Sequence, residues 1–156
     1  MPNGLLRPIL LATLVAGTLD ILAAIGLTLF YAHDPMSMLR YVASGPFPGA
    51  TEWGSAGSVL GLAVHFALMA IMVTIYMIAA GRWPALRSRP LIWGVIYGLI
   101  TYAVMNLVVV PLRFPAAFPP SARGLVTQLF CHIVLVGIPI AWIAARHFQS
   151  RSASAA

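Results

Sequence analysis

Ser58-Val59-Leu60-Gly61-Leu62-Ala63-Val64-His65-Phe66-Ala67-Leu68-Met69-Ala70-Ile71-Met72-Val73-Thr74-Ile75-Tyr76-Met77-Ile78-Ala79-Ala80 runs for twenty-three residues without a formal charge. As a helix it would be ~34 Å long, enough for the ~30 Å hydrocarbon core of a bilayer. It is apolar all round, whereas a helix on the surface of a soluble globule carries a polar face. The stretch reads as a transmembrane span. Three more runs of this kind lie at about residues 8–32, 91–112 and 125–145. A transmembrane strand would alternate over roughly 10 residues, and none of these runs does.

The composition agrees. Of 156 residues, 61% are hydrophobic and 8% charged, against about 25% charged in a soluble domain. There are three acids (Asp20, Asp34 and Glu52), nine arginines and no lysine. That is too little charge to clothe a water-soluble globule and too much apolar content for disorder. The single Cys131 excludes a disulfide scaffold. The fold class expected is an all-α membrane protein, a four-helix up-down-up-down bundle in one domain (residues 1–150). Residues 151–156 read as a disordered tail.

Orientation follows from the arginines. Arg7, Arg82, Arg87, Arg89, Arg146 and Arg151 flank the spans on one side, and Arg40, Arg113 and Arg123 on the other. The positive-inside rule then predicts a multi-pass inner-membrane protein with both termini cytoplasmic. The first run exceeds the apolar length of a signal peptide and is expected to stay in the mature protein. Arg82, Arg87 and Arg89 beside Trp83 suit anionic lipids, besides their topogenic role. No basic patch on a soluble surface points to nucleic acid.

The loop at about residues 33–57 contains Asp34-Pro35, an N-cap with proline at N1, and Gly45-Pro46, a stop. A short amphipathic helix at about 35–44 is expected there, on the periplasmic side, followed by a flexible or re-entrant stretch to Gly57.

An ionisable side chain within a span costs roughly 2.5–3.5 kcal/mol on insertion scales. The polar residues left inside the spans are therefore the informative ones: Asp20, His65, Asn106, Gln128 and His132. Each span supplies at least one. The predicted boundaries put His65, Asn106 and His132 ~9–10 Å below the outer surface and Asp20 ~18 Å below it. Helical spacing places each on an inward stripe. These stripes are Thr13/Gly17/Asp20/Ala24/Thr28, Ser58/Gly61/His65/Met69, Gly94/Gly98/Tyr102/Asn106 and Gln128/His132/Leu135/Pro139. Pro139 should bend the fourth span.

The stretches Gly17-Thr18-Leu19-Asp20, Ala43-Ser44-Gly45, Val64-His65-Phe66, Tyr97-Gly98 through Met105-Asn106, Pro111-Leu112, and Cys131-His132 through Gly137-Ile138-Pro139 sample all four spans. In their order the chain resembles small four-span bacterial inner-membrane proteins, the YagU-like family among them. The resemblance implies four spans and an inner-membrane location. It implies no activity, cofactor or catalytic residue.

Three functions compete on the residues alone. The first is a polar site open to the periplasmic side, where Asp20, His65, Asn106, Gln128 and His132 bind or relay a proton, a cation or a small polar ligand. In its metal form the ligands would be His65 and His132. The second is a structural accessory or assembly subunit, with a membrane-protein partner or as a homo-oligomer, whose polar residues only fix packing. The third is a subunit with b-type haem held by His65 and His132. Enzymatic chemistry is the weakest reading. Cys131 adjoins His132, but adjacent helical positions point ~100° apart.

Overall fold

The computed structural model describes residues 4–153. Four helices in it are long and apolar enough to cross a bilayer: Leu6–Phe30, Gly54–Arg82, Pro90–Arg113 and Ala122–Ser150. They are called the first to fourth spans below. The chain is thus an all-helical, multi-pass membrane protein, with no strand among the described residues. The second and fourth spans begin four and three residues before their predicted starts. The last helical stretch, Ile138–Ala153, runs past residue 151, where a disordered tail is predicted. No glycine or proline interrupts it after Pro139, so nothing stops it locally. Residues 154–156 lie outside the described residues.

Packing is inverted relative to a soluble protein. Leu14, Leu22, Ile71, Ile75, Leu99 and Leu107 are exposed. The core is built of Ala12 and Ala16 from the first span, Met69, Val73, Tyr76, Met77 and Ala80 from the second, and Val136, Ile140, Ala141 and Ala144 from the fourth. Lipid tails are as apolar as leucine, so burial as such does not draw the remaining large side chains inward. Small ones let backbones approach and pack closely. The fourth span is the hub and touches all three others.

Its contact with the third span is backbone against backbone. A Cβ on Gly98 would lie 2.5 Å from the His132 carbonyl oxygen and 2.6 Å from the Ile133 Cα. A Cβ on Gly137 would lie 2.7 Å from the Gly98 nitrogen and collide with the Gly94 carbonyl. Glycine is required here by space.

Both of these spans contain a π-helical segment, Ala103–Val109 in the third and Cys131–Gly137 in the fourth. Each ends two residues before a proline, Pro111 and Pro139. A proline inside a helix lacks the N–H and its ring clashes with the carbonyl four residues back. The chain widens ahead of that clash. Val110 N–H reaches back to the Met105 carbonyl and Ile138 N–H to that of Ile133, five residues in each case. Re-satisfying backbone groups in this way is what tolerates proline within a membrane. The widening also rotates the fourth span relative to its predicted stripe. Its buried residues include Cys131, Val136, Gly137 and Ile140, while Gln128 is exposed and His132, Leu135 and Pro139 are half-buried.

The loop after the first span holds the expected short helix, Pro35–Ala43. Asp34 caps it, accepting from Met36 N–H at 3.0 Å and Ser37 N–H at 2.9 Å. The Ser37 hydroxyl donates to the same carboxylate, and with the Met36 amide holds it below the usual carboxylate range. A depressed folded value means that the capping contribution is complete above pH ~4 and is lost as pH falls through the lowered value. The loop helix should therefore fray in acid, read as loss of helical Cα chemical shifts at residues 35–38. Asp34→Ala should show the frayed shifts at every pH.

The loop helix packs directly on the bundle. Its Leu39 carbonyl rests on Gly61, where a Cβ would collide with it. Ser58 Oγ donates to the Met36 carbonyl at 2.9 Å. Arg113, at the end of the third span, donates to the carbonyls of Gly45 and Ser44 at 2.6 and 2.8 Å and so closes the helix C-terminus from outside. The stretch predicted as flexible or re-entrant forms a 3₁₀ turn, Pro48–Glu52, and the second span starts at Gly54. Gly61→Val should lift the loop helix off the bundle. A cysteine at Leu39, now buried, would then react with a maleimide. Unchanged protection would overturn the contact.

Candidate functional site

The first and second spans bring the two most polar side chains together. His65 Nε2 lies 2.9 Å from the Gly17 carbonyl oxygen. A carbonyl can only accept, so Nε2 carries the ring proton, and in the neutral imidazole Nδ1 presents a lone pair. That Nδ1 faces Asp20 Oδ2 at 4.0 Å. Gly17 and Asp20 share a helix face one turn apart, which lets a single ring address both. Gly17 also makes the close approach, since a Cβ there would lie 2.6 Å from the Phe66 ring. Phe66 in turn sets its ring edge-on to His65, with centroids 5.2 Å apart. The His65 and Asp20 side chains keep 12% and 23% of their exposure, so the pair is withdrawn from solvent without being sealed.

His132 stands on the fourth span, bonded within its own helix. Its Nδ1 is 3.0 Å from the Gln128 carbonyl, so Nδ1 is the protonated nitrogen and Nε2 holds the lone pair. The two histidines are held in opposite tautomers, each by a backbone carbonyl. The Asp20 carboxylate interacts electrostatically with both, and with the buried Cys131 thiol. Asp20 and His65 are therefore in direct proximity, while His132 reaches Asp20 only through its electrostatic field.

Their depths differ from those predicted. His65 lies eleven residues past Gly54, His132 ten past Ala122 and Asp20 ten before Phe30. All three come to ~15–16 Å from their helix ends, close to mid-helix. The offset of Asp20 below the histidines disappears because the second and fourth spans start earlier than expected and the first ends two residues sooner, at Phe30.

Two predicted members behave otherwise. Gln128 contributes its backbone carbonyl, and its side chain is exposed. Asn106 is half-buried in the π segment of the third span, and its Nδ2 donates at 3.4 Å to the Tyr102 carbonyl of its own helix. Tyr102, by contrast, belongs to the group. It is buried, sets its ring edge-on to His132 at 5.8 Å, and its hydroxyl has no hydrogen-bond partner among the described residues. Its place on the inward stripe with Asn106 was visible in the sequence; its contact with His132 depends on how the third and fourth spans cross.

Among the described residues no cluster of three or more His, Cys, Asp or Glu is arranged to hold an ion, so Asp20, His65 and His132 do not converge on one point. Haem fits poorly as well. Its iron needs a ring nitrogen lone pair from each histidine, but His65 Nε2 is committed to Gly17 and Nδ1 looks onto a carboxylate. Asp20, His65 Nδ1 and His132 Nε2 are three bases, and each neutral ring has spent its own N–H on a carbonyl.

In comparisons with known proteins, no family model matches the chain, and no curated protein or solved structure matches it either.

Proposed function

We propose that this chain is an inner-membrane protein that binds and relays a proton at a mid-membrane site formed by Asp20, His65 and His132. Its spans run up-down-up-down with cytoplasmic termini, and the loop helix Pro35–Ala43 sits at the periplasmic end. The observation that carries the reading is the His65 bridge. With Nε2–H given to Gly17, the lone pair of Nδ1 stands 4.0 Å from an Asp20 oxygen with no donor of its own between them. One proton added to this pair makes a charge-neutral unit; without it, a carboxylate is left facing a lone pair. Such a pair has two states that differ by one proton, and ionisable groups kept inside a membrane mark ion pathways and proton relays.

The direct test is infrared difference spectroscopy of the protein in lipid across a pH jump. Wild type should show a carboxyl C=O band that appears on protonation, and Asp20→Asn should lack it. The absence of any titrating carboxyl band assigned to Asp20 between about pH 4 and 10 would overturn the reading.

A further inference from the structure

At the opposite end of the bundle, the turn between the second and third spans folds against the last turns of the fourth. Pro84, Arg87 and Ser88 face Phe148 and Gln149 across a cleft of about 330 Å³. It is open to the surroundings along one side, a groove rather than an enclosed pocket. One wall is apolar, made by the Phe148 ring and Pro84. Arg87 is the cation. Its guanidinium lies 4.5 Å over the Phe148 ring and is steadied by the Gly81 carbonyl at 3.4 Å. Ser88 donates its hydroxyl to the Ala85 carbonyl, which shapes the turn.

The charge around this cleft is one-sided. Arg7, Arg82, Arg89 and Arg146 flank the same helix ends, and the only acidic side chains of the chain, Asp20, Asp34 and Glu52, lie in the bundle middle or at the loop-helix end. Trp83 beside the cleft is 62% exposed, as expected of an aromatic at a membrane–water boundary. An arginine held by an aromatic ring, an apolar wall, a surplus of positive charge and a position at the boundary together select one kind of ligand.

We infer that this cleft seats the phosphate headgroup of an anionic phospholipid, with Arg87 on the phosphate and Phe148 and Pro84 against its glycerol end. The site is separate from the proton site and stands whether or not that site functions. The arginines at large supply a diffuse attraction that salt screens; the cleft adds a place where one lipid is retained.

The test is native mass spectrometry of the full chain released from micelles holding equal phosphatidylglycerol and phosphatidylcholine. Wild type should retain one phosphatidylglycerol in preference to phosphatidylcholine. Gln149→Glu, at an exposed lining position, puts a negative charge into the cleft without touching the Arg87 contacts, and should lower that retention by about fivefold. Arg87→Gln should lower it at least as much. Equal retention of the two lipids by wild type, or unchanged preference in Gln149→Glu, would overturn the site. Inorganic phosphate in excess should leave the retained lipid in place. Its complete displacement by phosphate would mean that a soluble phosphate is the ligand and would overturn the lipid assignment.

Discussion

Gly137→Ala should part the third and fourth spans and unfold the bundle at markedly lower denaturant. A single methyl there has no room: it would strike the Gly94 carbonyl and lie 2.7 Å from the Gly98 nitrogen. The atoms it meets are backbone in a continuous helix, so no side-chain rotation can clear them. Overpacking usually costs about 1–3 kcal/mol, and the rigid neighbours put this case at the top of that range or above it. Gly26→Ala is the matched control. It adds the same methyl to a span where nothing lies within 4 Å of it, and helix propensity then favours alanine by up to ~1 kcal/mol. Denaturation midpoints in detergent, read by helix content, should fall for Gly137→Ala and hold or rise for Gly26→Ala. Equal midpoints would mean that the two helices are not held backbone to backbone.

Asp20→Asn should abolish the proton-dependent signal of the site while the protein folds as before. The asparagine amide keeps the shape and can donate an N–H to the His65 Nδ1 lone pair, which the carboxylate does only when protonated. Thermal stability should stay within the ~1–2 kcal/mol that one interhelical hydrogen bond is worth. His65→Gln extends the argument, since its amide can still donate to the Gly17 carbonyl but no longer titrates. His65→Leu is the contrasting variant. It removes the nearer partner of a half-buried Asp20 and should destabilise the bundle by roughly 2–4 kcal/mol. The expected pattern is that polar replacements keep the fold and lose the proton, whereas the apolar one loses both. If Asp20→Asn matches wild type in proton uptake and in stability, the polar group is interhelical glue. The chain is then better read as a structural subunit.

Much of this protein could be read from one dimension. Four apolar runs determine four spans, because a bilayer leaves the backbone no alternative to closing its own hydrogen bonds. Asp34-Pro35 and Gly45-Pro46 determined the loop helix, since caps and stops act over one turn of chain. Asp20 and the two histidines stood out as side chains that lipid penalises. The pairing of His65 with Gly17 and Asp20 was beyond reach, because it depends on how closely two spans approach, and that distance is set by Gly17 and the Phe66 ring together. The fourth span shows the limit most clearly. Regular helical spacing turned Gln128, His132, Leu135 and Pro139 inward, whereas the π segment before Pro139 buries Cys131, Val136 and Gly137 instead. Sequence alone marks the proline, but which residues the widened turn buries is decided by its neighbour. Here Gly94 and Gly98 admit the fourth-span backbone so closely that the widened turn is packed in place, and only the tertiary structure contains that contact.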